Sequence, residues 1–210
     1  MAKSLEIKHI AEELKELDDP AWSSAKPVKV KSYWSGQRAP VKRRFVACLL
    51  WSDNALYIKF DANQGEPPVI HNFPKLDQKT PGLWKRDVCE VFIGPDRSNP
   101  NQYMEFEVAP SGEWLDLKVS KHGDERIIDD SWESGMRTMT RIGHDLIEMA
   151  IRVEWSAFGG APKPGDTWLG NLLRCVGAGK NRGYLAWSAT RTETPDFHVP
   201  ERFGEFVFLD

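Results

Sequence analysis

The sequence predicts an all-β fold, an antiparallel β-sandwich of jelly-roll type with a short N-terminal helix. Three observations carry this expectation. Short apolar runs recur as about ten strand-like segments, several alternating apolar and polar residues at the period of two that a half-buried strand requires. Clusters of Gly, Pro, Asn and Asp separate these runs, as chain reversals demand. No part of the chain follows the strand–helix–strand rhythm of a parallel α/β domain. The 210 residues suit one domain, residues 1–210, with no internal repeat or linker to divide it.

In chain order, Ile7, Ile10, Leu14 and Leu17 fall at helical spacing among Glu12, Glu13, Lys15 and Glu16, and predict the short amphipathic helix. Residues 18–25 read as a turn that tucks Trp22 inward, with a strand near 28–31. Residues 45–51 form a nearly continuous apolar strand. After the turn Ser52-Asp53-Asn54, Leu56, Ile58 and Phe60 alternate with Tyr57, Lys59 and Asp61, which makes a hairpin. Residues 64–81, with Gly65, Pro67, Pro68, Pro74 and Pro81, read as a long surface loop, a class often used for function. Residues 87–93 predict a central strand with Val91 and Ile93 in the core. Residues 102–108 alternate most cleanly, with Met104, Phe106 and Val108 on one face. Tyr103, Glu105 and Glu107 take the other, which reads as solvated. Further strands are expected at 114–119, 136–142, 146–153, 167–176, 184–188 and 205–209.

Composition excludes several classes. A net charge of −3 offers no basic stripe for nucleic acid. No run approaches the roughly 18 apolar residues of a membrane helix. Charged residues, not an apolar segment, follow Met1-Ala2-Lys3-Ser4, which places the chain in the cytoplasm unless a leader has been trimmed. Cys48, Cys89 and Cys175 are odd in number and far apart, each in an apolar run, and are expected to be buried free thiols. His9, His71, His122, His144 and His198 include no pair at metal-ligand spacing. Asp96, Asp129 and Asp130 offer loop oxygens to calcium but lack EF-hand spacing, so neither a metal nor a cofactor is expected.

Nine tryptophans in one domain exceed what a core needs and raise the odds of a stacking surface. Trp22, Trp51, Trp114, Trp155 and Trp168 lie in apolar or strand contexts and read as core; Trp34 and Trp132 lie in polar loops. Trp84 stands beside the Pro81-Gly82 turn and next to Lys85 and Arg86, so part of its ring is expected to be wet. It precedes Asp87 and Glu90 by three and six residues. An indole can cover the apolar face of a pyranose while Arg86, Asp87 and Glu90 bond its hydroxyls as donors and acceptors. Glu105 and Tyr103 are further candidates for that rim. In the 184–188 run, alternation sets Trp187 on the face of Leu185, away from Ala186 and Ser188.

Four blocks in order identify a resemblance. They are Asp18-Asp19-Pro20-Ala21-Trp22-Ser23-Ser24-Ala25, then Trp84 through Ile93, then Tyr103-Met104-Glu105-Phe106-Glu107-Val108-Ala109-Pro110-Ser111-Gly112, and finally Trp187-Ser188 with Phe197-His198-Val199-Pro200-Glu201-Arg202-Phe203-Gly204. Together they resemble the family 9 carbohydrate-binding modules over nearly the whole chain. The resemblance implies non-catalytic binding of a mono- or oligosaccharide, such as a glucan or xylan chain end, in support of carbohydrate catabolism. It implies a clamp of two tryptophans, with Trp84 as the first, Trp187 as the best match for the second, and Glu90 at the matching acidic position. The long Pro-rich loop before Trp84 departs from the family's pattern.

Two other classes compete. A haem-b sandwich would use Met104, Met136, Met149 and His144 as ligands. A glycoside hydrolase would use two of Glu90, Glu105 and Glu107 as acid and nucleophile, provided their carboxyls flank a bound glycosidic bond.

Overall fold

In a computed structural model the described residues are 3–123 and 125–210. They form thirteen strands: β1 Ser4–His9, β2 Val28–Val30, β3 Phe45–Trp51, β4 Ala55–Asn63, β5 Val88–Gly94, β6 Gln102–Val108, β7 Trp114–His122, β8 Glu125–Asp129, β9 Arg137–Ile142, β10 Leu146–Glu154, β11 Thr167–Val176, β12 Gly183–Ala186 and β13 Gly204–Phe208. The hydrogen-bonded order is β8-β7-β6-β5-β11-β13-β1-β3-β4-β10-β9, with β12 added to β11 and β2 to β3. This path curls on itself into two facing halves. One runs from β8 to β13 and the other from β3 to β9.

Strand β1 joins the halves. Ser4–Ile7 pair parallel with Glu205–Phe208 of β13, and Lys8 and His9 then pair parallel with Leu50 and Trp51 of β3. The sheet is therefore mixed and not purely antiparallel. The same strand corrects the expected N-terminal helix. Leu5 and Ile7 are buried alternately with exposed Ser4, Glu6 and Lys8, a period of two. Backbone groups at the edges of β13 and β3 need partners, and β1 supplies them to both, so tertiary pairing overrides the local helical spacing. Leu14 and Leu17 lie in irregular chain and cover the outer face of the second half, against Leu50, Tyr57 and Ala150. Trp22 joins them, held by a turn in which Asp19 Oδ1 accepts the Ala21 N–H at 2.9 Å.

The main core lies between the halves. Cys89, Val91 and Ile93 of β5 and Phe106 and Val108 of β6 face Leu49, Ile58, Phe60, Met149 and Ile151 of the other half. Strand β5 is buried at every residue, so its other face is covered too. Val88 and Phe92, with Tyr103, Leu117, Leu173, Phe197 and Phe203, form a second apolar cluster on the outer face of the first half. Chain segments 83–87 and 188–203 close over that face.

A buried polar tie links the halves. Arg174 of β11 donates to Arg43 O at 2.9 Å, Asn63 O at 2.7 Å and Gln64 Oε1 at 2.5 Å. Gln64 Nε2 in turn donates to Asp87 Oδ2 at 3.3 Å, and Gly177 N–H donates to Asp87 Oδ1 at 2.7 Å. Cys89 and Cys175 are buried free thiols as expected, and Cys48 is partly buried.

Trp187 belongs to the core. Its ring is 5 % exposed, lies 5.8 Å from the Phe206 ring, and rests on Gly204, where an added Cβ would come within 2.4 Å of the indole. The reason is the one alternation implied: Leu185 faces the inter-sheet core, and Trp187 follows it there. Trp187→Ala is expected to cost about 3–5 kcal/mol of stability, as deleting a large buried ring does. A denaturant midpoint equal to the parent's would show that the ring is not part of the core.

Candidate functional site

The outer face of the first half holds a cleft of about 660 Å³, lined by residues of β5, β6, β7, β8, β11 and β12 and of three connecting segments. That volume lies within the roughly 300–1,000 Å³ of small-molecule sites. Three of the sequence candidates line it: Trp84, Glu90 and Glu105.

Trp84 is presented by a single 3₁₀ turn, Leu83–Lys85. Gly82 opens the turn in the left-handed region at φ 76°, which favours glycine. The buried Leu83 anchors the turn in the apolar cluster and leaves the next residue pointing out, so the Trp84 ring is 41 % exposed. Arg182 fixes the turn from outside: its guanidinium donates to Trp84 O at 2.5 Å, Arg86 O at 2.7 Å and Gly177 O at 2.6 Å. The same guanidinium carbon lies 5.5 Å from the centre of the Tyr184 ring. Tyr184, on β12, is therefore the aromatic tied to Trp84 through Arg182. Its own ring is braced edge-on by Trp34 at 6.1 Å and Phe197 at 6.1 Å.

The floor is acidic. Glu90 on β5 stands directly opposite Glu107 on β6, and Phe92 opposite Glu105. All three glutamates are buried, Glu107 completely. The solvated face expected for Tyr103, Glu105 and Glu107 is thus corrected: β6 is an interior strand whose second face lies under the loop 188–203 and the cleft. Burial, with Glu105 nearby, pushes the Glu90 carboxyl up to about 8. Burial pushes Glu105 up to about 7, against the pull of Glu107 and Arg126. Glu107 is raised well above the ordinary range by burial and by both neighbours. Among the described residues, neither Glu107 oxygen nor Glu105 Oε2 meets an N–H or O–H donor of another residue type. Glu105 and Glu107 lie close enough for each to shift the other's protonation. The Cys175 thiol donates to Glu90 Oε1 at 3.3 Å and is itself raised by burial.

Around the floor stand His198, Asp196, Phe197 and Arg126. The Tyr103 hydroxyl is 2.9 Å from His198 Nδ1, so Tyr103 acts beneath the cleft by holding the imidazole. His198 Nε2 is 3.8 Å from Glu105 Oε2, beyond a hydrogen bond. Burial first, then Arg126 and Lys121, lower His198 to about 3, so the ring is neutral. Arg126 sits 3.6 Å from Asp196 Oδ1.

Three candidates fall elsewhere. Trp187 is in the core. Asp87 is buried in the tie to Gln64 and Gly177, where it holds the end of β5 rather than facing the cleft. Arg86 contributes its carbonyl to Arg182, and its side chain does not line the cleft. Two of the acids named for calcium accept local hydrogen bonds through their carboxylates, and the third, Asp130, through its backbone carbonyl. Asp96 Oδ1 accepts from Ser98 N at 2.8 Å, and Asp129 Oδ1 accepts from Ser131 N at 3.1 Å. Asp130 O accepts from Lys79 Nζ at 3.1 Å, which also reaches Asp116 Oδ1 at 2.6 Å.

The residues missed by sequence reasoning are Tyr184, Arg182, Lys85, Arg126 and the segment 194–198. For Tyr184 a signal existed: if Trp187 shares the face of core Leu185, Tyr184 takes the opposite face. Arg126 sits on β8, an exposed edge strand whose Glu-Arg-Ile-Ile-Asp run shows no alternation, so its sequence gives no strand signal.

A model of the carbohydrate family 9 binding domain-like family matches residues 16–210. The fold recurs in solved structures. A protein from Bacteroides uniformis superposes with a TM-score of 0.76 at 18 % identity, covering 99 % of this chain and 100 % of that one. A family 9 carbohydrate-binding module from Caldicellulosiruptor kristjanssonii in complex with cellotriose gives 0.69 at 15 % identity, with 99 % and 94 % coverage. A family 9 module from the same organism in complex with glucose gives 0.65 at 17 %, with 98 % and 95 % coverage. The chain belongs to the carbohydrate family 9 binding domain-like family.

The acidic floor makes stability depend on pH in a stated direction. The folded-state values of Glu90 and Glu105 lie above the unfolded carboxyl value of 4.5. The folded state therefore binds more protons between those values, and their contribution, full below the unfolded value, is lost as pH rises through the folded ones. In Glu90→Gln the fall in stability between about pH 5 and about pH 9 should be smaller than in the parent, on the order of a few kcal/mol. Chemical denaturation at the two pH values reads this directly. An equal or steeper fall in the variant would contradict the assignment.

Proposed function

We propose that this family 9 member binds a carbohydrate in the Trp84 cleft, without chemistry of its own, in support of carbohydrate catabolism. The observation that carries the reading is an exposed tryptophan at the mouth of a cleft whose floor is made of hydrogen-bonding carboxyls. The indole covers the apolar face of a pyranose, and Glu90 and Glu105 accept from its hydroxyls. Tyr184 takes the part of the second aromatic, because Trp187 is enclosed by Gly204 and Phe206. Arg182 sets the separation of the two rings, since it bonds the backbone beside one and covers the other. The two relatives bound to cellotriose and to glucose support a β-glucan or its chain end as ligand. A ligand of few atoms competing with water should bind with micromolar to millimolar affinity, about −8 to −4 kcal/mol.

Neither competing class is favoured. His144 is exposed in the β9–β10 turn, whereas Met104, Met136 and Met149 pack with the inter-sheet core. The glutamates are crowded on adjacent strands and share protons, which suits binding better than a separated acid and nucleophile.

Calorimetry with glucose, cello-oligosaccharides and xylo-oligosaccharides should show saturable binding by the parent. Trp84→Ala and Tyr184→Ala should each weaken it by about tenfold or more, near 1.4 kcal/mol. Trp84→Ala should leave stability within about 0.5 kcal/mol, as expected of an exposed side chain. Absence of binding by the parent, or full affinity in Trp84→Ala, would refute the reading.

A further inference from the structure

The cleft crosses the strands rather than running along them. Its lining passes from Tyr184 on β12 over Cys175 on β11, Glu90 on β5, Glu105 on β6 and Leu117 on β7 to Ile128 on β8. These strands are hydrogen-bonded neighbours in that order, so the crossing takes five strand spacings. At roughly 4.8 Å for each spacing the path is about 24 Å along the sheet. A single pyranose is little longer than one such spacing. Trp84 and Tyr184, tied together through Arg182, stand at the β12 end. A sugar stacked between them leaves most of the path unfilled.

The two ends differ. Beside β12 the chain continues: Tyr33 bridges Leu185, the Trp34 N–H donates to Tyr184 O at 2.9 Å, and the Trp34 ring stands edge-on to Tyr184. Beyond β8 no strand follows among the described residues, and all five residues of β8 are exposed. The cleft is closed at β12 and open at β8.

The open end carries the chemistry of a further sugar contact. Arg126 and Ile128 are two residues apart, so they share one face of β8, the face that lines the cleft. Ile128 is 43 % exposed and continues the apolar strip begun by the buried Leu117 on the adjoining strand. Its side chain gains by being covered, and the apolar face of a pyranose can cover it. Arg126 stands beside it. Among the described residues its carboxylate partner, Asp196 Oδ1, is 3.6 Å away, beyond a hydrogen bond, which leaves its fork of N–H donors to the hydroxyl oxygens of a ligand.

We propose that Ile128 and Arg126 form a second sugar subsite at the β8 end of the cleft. The ligand is then an oligosaccharide whose end residue stacks on Trp84 and whose following residues cross the strands and leave over the edge of the sheet. This rests on the carbohydrate reading and adds to it a length and a direction for the ligand. Ile128 serves as the platform at the open end, and Arg126 fixes the hydroxyls of the residue lying on it.

The test is calorimetry of the full chain with glucose, cellotriose and cellotetraose. Cellotetraose is expected to bind at least about tenfold tighter than glucose. In Ile128→Ala and in Arg126→Ala the ratio of cellotetraose to glucose affinity should fall toward one. Both side chains are exposed on an edge strand, so the variants should keep the parent's thermal midpoint within a few degrees. A ratio near one in the parent, or the parent's ratio kept in both variants, would overturn the subsite and leave carbohydrate binding intact. Binding of none of the three would overturn both readings.

Discussion

Strand β5 is buried on both faces, and the site is a consequence of that constraint. Between the halves, Cys89, Val91 and Ile93 make ordinary core. On the far side, Val88, Glu90 and Phe92 would face water if nothing covered them, and apolar groups there would be lost to the hydrophobic effect. The turn 83–85 and the loop 188–203 provide the cover, with Leu83, Phe197 and Phe203 as anchors. Cover made of loops does not close completely. The gap between the two is the cleft.

The carboxyls on the floor follow from the same geometry. Cross-strand neighbours on one face lie about 4.5–5.5 Å apart, so Glu90 and Glu107 are in contact whether or not this is favourable. Like charges so placed destabilise the sheet unless protons or a partner intervene. Stability is sacrificed locally at the place where a ligand with donors gains most, a pattern expected of a binding site rather than of a structural ion pair.

The aromatic residues divide by strand phase. Trp51, Trp155, Trp168 and Phe208 form an edge-to-face cluster between the halves, and Trp187 lies on Phe206 nearby. Trp34 and Phe197 stand behind Tyr184 as braces. Only Trp84 among the tryptophans is strongly exposed. A surplus of tryptophan thus does not say which ring is left in the open. The buried Arg174–Gln64–Asp87 tie holds the end of β5 against the other half, which keeps the turn carrying Trp84 in place.

The sequence by itself determined the strands. Period-two alternation and turn residues are local, so β2 to β6 and β9 to β13 were legible within a residue or two, and β7 except for its last three residues, as was the wet tryptophan beside Pro81-Gly82. The ordered blocks carried the family. Tertiary structure decided what alternation leaves open. A helical spacing at Ile7 to Leu17 gave way to a strand because two sheet edges needed a partner. Alternation separates the faces of β6 but does not say which is wet; Glu105 became floor and Glu107 was sealed beneath it because loops from residues 83 and 188 onward cover them. Tyr184 and not Trp187 lines the cleft beside Trp84, since burial depends on what lies across the sheet, and that is set by residues far away in the chain.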